Sequence, residues 1–179
     1  SRRLASALKG AFARREVEKT YLAVVRGQPS WDETLIDAPL RLAESVSNVV
    51  MEVHPDGGAA FTRVRVLGRG RDAALVEALP KTGRQHQIRV HLTHTGHPLL
   101  GDKLYAGGEE FFMDAVQGVF DAATLVEEVG HARQALHAYA LRFPHPDGGR
   151  MTELRAPLTP DLAQLCAARK IMVPAALSA

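Results

Sequence analysis

The chain has 179 residues, 46% of them apolar and 23% charged, with a net charge of +2. This is the size and composition of one globular domain with a sizeable core. The single cysteine, Cys166, excludes an intramolecular disulfide and any multi-thiolate metal centre. So small a net charge leaves any nucleic-acid role to the clustering of basic residues.

In chain order, RRLASALKGAFARRE spaces Leu4, Leu8 and Phe12 four apart, the apolar stripe of a helix ringed by arginines. The chain starts at Ser1 and enters this helix at once, so it reads as cut from something longer. VEKTYLAVVRG is a strand ending at a glycine, and ETLIDAPLRL a weaker, proline-containing extended piece suited to an edge. SNVVMEVHPDGGAAFTRVRVLGRG predicts two strands around a turn. RDAALVEALPKTG adds another, with Ala74, Val76 and Ala78 alternating against Leu75 and Glu77.

The pentapeptide HPDGG occurs at His54–Gly58 and again at His145–Gly149. Asp and Gly both tolerate the positive φ of tight hairpins, so each copy is expected to join two antiparallel strands. Glu109 to Gly130 is expected to be loop with one helical piece. TPDLAQLCAARK closes the chain as a helix, with Thr159 as N-cap, Pro160 at the first helical position and basic residues at its end. The predicted fold class is α+β: one domain over 1–179, with a mixed, mainly antiparallel sheet and flanking helices. No glycine-rich phosphate motif is present, so no nucleotide cofactor is expected. No apolar run is long enough to span a bilayer and no signal peptide is visible, which fits a cytoplasmic location.

The densest stretch is TGRQHQIRVHLTHTGHP. Thr82 can cap a helix that Gly96 and Pro98 end. At about 100° per residue, Ile88 and Leu92 share one side, Val90 lies opposite, and His86, Arg89 and Thr93 share a third face. A guanidinium on a helix packed from two sides needs a partner, a carboxylate or a phosphate. His91 and His94 have the spacing of a shared metal, but without an H-E-x-x-H pattern no metal is assigned. Cys166 is read as a buried small hydrophobe. Trp31 is read as packing, with base stacking as the alternative. In GHPLLGDKLYAGG, Asp102 is read as a local turn residue in preference to part of a pocket wall.

KTYLAVVRG (Lys19–Gly27), KTGRQHQIRVHLTHTGHPLLGDKLYAG (Lys81–Gly107) and RQALHAYALRFPHP (Arg133–Pro146) occur in the order found in the RluA/RluC/RluD-type pseudouridine synthases. The chain resembles that family from about Leu4 to Arg169. The resemblance implies a pseudouridine-synthase-like catalytic domain that flips a uridine out of structured RNA, ribosomal RNA first and transfer RNA second, and isomerises it without metal or organic cofactor. It implies that Arg89 pairs with an essential aspartate, and that Tyr21 stacks on the base and removes the C5 proton. Lys19, Arg84, His86, Gln87 and Leu136 flank these two as substrate or RNA contacts. For Arg84 the alternatives are a phosphate contact and the capping of a neighbouring strand's carbonyls; for Leu136, a base contact and core packing.

The chain departs from the family at one point. The family's aspartate lies in a His-Arg-Leu-Asp block upstream of the first helix, and no aspartate here has that context. The expectation is a partial catalytic domain, inactive by itself, with exposed sheet edges. A non-catalytic RNA-binding or ribosome-assembly module and an aspartate supplied by another chain are the alternatives.

Overall fold

A computed structural model describes residues 2–145 and 150–177, with side chains from residue 5 onward. Leu4 of the expected stripe and the Pro146–Gly149 turn therefore fall outside the described residues.

The strands are β1 (Glu18–Arg26), β2 (Glu33–Asp37), β3 (Leu40–Leu42), β4 (Met51–Val53), β5 (Phe61–Arg69), β6 (Ala73–Pro80), β7 (Leu136–Pro144) and β8 (Met151–Arg155). Helices α1 (Arg2–Ala13), α2 (Gln87–His94), α3 (Glu109–Gln117), α4 (Ala122–Val129) and α5 (Pro160–Ala168) flank them. Six strands form one sheet in the order β2-β5-β6-β1-β7-β8, and β3 pairs with β4 in a small second sheet. Every strand pairing is antiparallel. The α+β expectation with a mainly antiparallel sheet is met.

β1 and β6 lie at the middle of the sheet, so both of their faces are covered. Leu22, Val24 and Leu75 pack with Leu162, Leu165 and Cys166 of α5. Ala23, Val25, Ala74, Val76 and Ala78 face the other way, onto Ile88 and Leu92 of α2. This is the alternation anticipated for β6, with a core on each side. A fully buried leucine such as Leu22 contributes roughly 1.5–3 kcal/mol. Burial lifts the Cys166 thiol to about 11, so it behaves as the apolar group expected. α2 is packed from its second side as well: Val90 meets Leu40, Met51 and Ala60 of the small-sheet layer.

Several expectations are corrected. The first HPDGG does not make a hairpin. Its turn closes from Gly57 N–H to the His54 carbonyl at 2.9 Å, but β4 pairs with β3 and β5 pairs with β2 and β6. Neither Asp56 nor Gly57 has positive φ. The glycine matters at position 57, where a Cβ would stand 2.6 Å from the Leu40 carbonyl carbon. β7 and β8, the strands on either side of the second copy, pair antiparallel as expected. Glu109–Gly130 holds two helices, not one. Asp121 caps α4 through the Thr124 N–H at 2.8 Å, and Gly118 ends α3 in the left-handed region.

Three end signals also shift. Thr82 does not cap α2; His86 occupies that position with φ 53° and no side-chain cap. Thr159 precedes α5 as expected, yet its hydroxyl accepts from Arg133 Nη2 at 3.0 Å instead of capping the helix. The last turn of α5 has no basic residue, because Arg169 and Lys170 lie just beyond it. Trp31 packs partly against the α2-side core and stands edge-on to His97. Along α1, Leu8 packs toward Ala11, Val17 and Phe143, but Phe12 is 45% exposed. Among the described residues no helix is long and apolar enough to cross a membrane.

Candidate active site

The site lies where the start of β1, the start of β7 and α2 meet. Tyr21 stands on the α2 side of β1, in phase with Ala23 and Val25. The pairing of β1 with β7 shifts register between Thr20 and Tyr21, so Thr20 faces Ala140 while Tyr21 faces Ala138. Such a bulge re-aims a side chain at a strand end. Leu136, opposite Ala23 at the head of β7, packs on the same core.

Arg89 is 9% exposed and finds its carboxylate in Asp102, which has no exposed surface. Arg89 Nε donates to Asp102 Oδ2 at 2.7 Å and Nη2 to Oδ1 at 2.7 Å. Oδ1 also accepts the backbone N–H groups of Leu104 and Tyr105, each at 3.1 Å. Asp102 thus makes the local turn expected of it and the ion pair as well; the partnership with Arg89 was missed in the sequence. The Tyr105 ring supports the flat face of the guanidinium, with Cζ 4.7 Å from the ring centroid. Tyr105 is in turn anchored: its hydroxyl accepts the Met51 N–H at 2.9 Å and lies 2.9 Å from His86 Nδ1. Burial, then the Arg89 charge, lowers the His86 pKa, and burial raises that of Tyr105. Both groups are therefore neutral near pH 7, and the hydroxyl and the imidazole share one hydrogen bond whose direction follows the His86 tautomer.

Gly101 makes this approach feasible. It has φ 75°, and a Cβ there would fall 1.8 Å from the Arg133 carbonyl oxygen. Its N–H donates to Val129 O at 2.7 Å, which seats the Asp102 segment against the end of α4.

Gln87 lines the site from within the fold. It is buried, and its amide is fully used inside the fold. Oε1 accepts from Thr82 Oγ1 at 2.8 Å and from Arg84 N at 3.0 Å. Nε2 donates to Phe61 O and Thr62 Oγ1, each at 3.0 Å. No polar group of Gln87 is left for RNA, so it shapes the loop. His91 is likewise committed, with Nδ1 on Thr62 Oγ1 at 2.8 Å and Nε2 on Ala38 O at 2.9 Å. Neither ring nitrogen is available to a metal. Arg84 Nε reaches Ala59 O at 3.3 Å, the capping alternative, while the side chain stays exposed. Lys19 is part-buried, and desolvation lowers its pKa.

Tyr21, Arg89 and Leu136 line a cavity of about 610 Å³ with Lys103, Phe112 and Arg133. A neighbouring cavity of about 410 Å³ contains all seven predicted residues: Lys19, Tyr21, Arg84, His86, Gln87, Arg89 and Leu136. Arg133 holds the far wall, with Nε on Asp161 Oδ2 at 2.8 Å and Nη1 on the Gln134 and Leu136 carbonyls. Its hydrogen bond, with those of Thr159 and His131, keeps the Asp161 carboxyl well below the usual carboxylate range. The result is an apolar-floored pocket with one buried, pre-oriented guanidinium and one tyrosine. That arrangement has the shape and polarity to accept a planar, polar ring, which base chemistry outside the helix stack requires.

The RNA pseudouridylate synthase family model matches residues 1–94, and the chain belongs to that family. It is 36% identical over 158 residues to ribosomal large subunit pseudouridine synthase C of Vibrio parahaemolyticus, covering 88% of this chain and 46% of the relative. It is 36% identical over 160 residues to ribosomal large subunit pseudouridine synthase D of Haemophilus ducreyi, covering 89% and 47%. Among solved structures, human RNA pseudouridylate synthase domain containing 1 superimposes with a TM-score of 0.67 at 27% identity, over 94% of this chain and 72% of that one. The chain spans about half the length of the curated relatives it matches.

Proposed function

We propose that this chain forms the greater part of the catalytic domain of an RNA pseudouridine synthase, and that the Tyr21–Arg89–Leu136 cavity receives the flipped uridine. The observation that carries the reading is the convergence of those three side chains, from β1, α2 and β7, on one cavity. In the reaction the C1′–N1 bond breaks and C5 bonds to C1′; C5 loses a proton and N1 gains one. Tyr21 offers a ring to stack on the base and a hydroxyl to take the C5 proton. Leu136 forms the apolar opposite wall. Arg89 presents its Nη1 side, which makes no hydrogen bond among the described residues, to a carboxylate or a uracil oxygen.

Asp102 does not serve as the nucleophile. It is fully buried, and both of its oxygens are occupied. The reacting carboxylate is proposed to come from a segment outside this sequence, as the family pattern implies. Arg84 and Lys19 contribute phosphate contacts that set register. Ribosomal large-subunit RNA is the proposed substrate class, from the likeness to relatives that bear that name, and the cytoplasm the proposed location.

The test is release of tritium from C5-labelled uridine in RNA incubated with the native protein. Release is expected, with loss on Tyr21→Phe. A native protein that binds RNA and releases no tritium is a binding module, and the catalytic reading falls.

A further inference from the structure

Three cavities run in series along the α2 side of the sheet. The first two share Tyr21, Arg89 and Leu136. The second shares Phe12, Lys19, Gly83 and Arg84 with a third, of about 310 Å³. The third differs in character. Arg15, Lys19, Lys81 and Arg84 line it, and no Asp or Glu does.

Elsewhere on the surface arginines commonly sit on carboxylates, as Arg41 does on Glu52, Arg63 on Glu33 and Arg69 on Asp32. Among the described residues, the side chains of Arg15, Lys19 and Lys81 make no hydrogen bond or ion pair, and Arg84 holds only the Ala59 carbonyl. Lys19 is also partly desolvated, so an anion brought to it gains more than one brought to a fully hydrated lysine. Phe12 stands at the junction of the second and third cavities and is 45% exposed, whereas Leu8 one turn earlier is partly buried against Ala11, Val17 and Phe143. Uncompensated cations beside an exposed ring are what a single nucleic-acid strand requires: charge for phosphate and a flat face for a base.

The geometry points to a second nucleotide subsite in this third cavity, for the RNA nucleotide adjacent to the one in the Tyr21–Arg89 cavity. Arg15, Lys19, Lys81 and Arg84 take its phosphates, and Phe12 stacks on its base. The subsite rests on the RNA reading proposed above and adds a defined neighbour to it.

The test titrates the native protein with a short fluorescein-labelled, uridine-rich single-stranded RNA across a range of salt concentrations. Arg15→Gln and Lys81→Gln are each expected to lower the slope of log K against log salt by about 0.7. Phe12→Ala is expected to weaken binding about five-fold or more, and Phe12→Tyr to retain it. On an oligomer with abasic sites on both sides of one uridine, wild type and Phe12→Ala should bind alike. Unchanged slopes in both charge variants overturn the subsite. So does a Phe12→Ala loss that persists on the abasic oligomer, because it assigns Phe12 to the packing of α1. Tritium release on the same preparations separates this inference from the catalytic one: binding with the expected slopes but no release upholds the subsite and removes the enzyme.

Discussion

Arg89 on α2 and Asp102 in the loop after it form a bidentate pair, both contacts at 2.7 Å, with both side chains buried. The pair fixes one side of the guanidinium and leaves the other facing the cavity. Breaking a buried pair by removing one partner strands a charge, at a cost of about 3–5 kcal/mol. Asp102→Asn keeps the shape and loses the charge. It is expected to lower the unfolding free energy by an amount in that range, read from the shift of the urea midpoint at unchanged slope. A loss under about 1 kcal/mol would mean that water already compensates Arg89.

Arg89→Lys tests the same relationship from the other side. A lysine is a point charge without the planar fork. It cannot hold both Asp102 oxygens and present a second edge, so pseudouridine formation is expected to fall at least 100-fold, about 2.7 kcal/mol at 1.36 kcal/mol per tenfold. Retained activity would remove Arg89 from the reaction.

Tyr105 seats the face of the guanidinium. Tyr105→Leu removes that face and the hydroxyl together, whereas Tyr105→Phe keeps the ring. A desolvated cation–π contact is worth about 2 kcal/mol. The leucine variant should therefore lose about ten-fold or more in kcat with little change in KM, and the phenylalanine variant should recover most of it. Equal losses in both would locate the effect in the His86 and Met51 hydrogen bonds instead.

His91 makes stability depend on pH. Burial lowers its pKa, and its neutral form is held between Thr62 and Ala38. The folded state then binds fewer protons than the unfolded state, whose histidine titrates near 6.5. Stability from this group is present above pH of about 6.5 and is lost as pH falls below it, toward the lowered folded value. Melting temperature should decline from pH 7 to pH 5, and His91→Gln should flatten that decline while lowering the neutral-pH value. His86, lowered in the same direction, adds to the slope that remains.

β2 and β8 are the outer strands of the large sheet. Leu35 on one is 61% exposed, and Leu154 on the other 56%. An outer strand with apolar side chains is a template for pairing with another copy. The 179-residue chain should show concentration-dependent association in sedimentation velocity, reduced by Leu35→Lys with Leu154→Lys. A monomer at all concentrations would contradict this.

Much of the frame was legible because it is local. Lys19–Gly27 has the composition of a buried strand, and the three faces of Gln87–His94 follow from helical geometry alone. Both are present, each packed from two sides. Long-range pairing was not legible. HPDGG carries the chemistry of a hairpin turn, but which strand β4 joins depends on Leu40 returning beside Gly58, which local sequence does not encode. The Arg89 partner lies thirteen residues on in sequence. The clue was present in Gly101, but an aspartate after glycine serves equally in an ordinary turn. The hydrogen bonds of Gln87 were not legible either: Phe61, Thr62, Thr82 and Arg84 meet its amide only in the fold.

The central claim is that Tyr21 acts on a uridine held against Arg89. Its most direct test maps pseudouridine in large-subunit ribosomal RNA from cells that lack the native protein, restored with either wild type or Tyr21→Phe. The account predicts at least one uridine modified only with wild type, while the Tyr21→Phe protein still binds that RNA with nearly wild-type affinity. Full modification by Tyr21→Phe would contradict it.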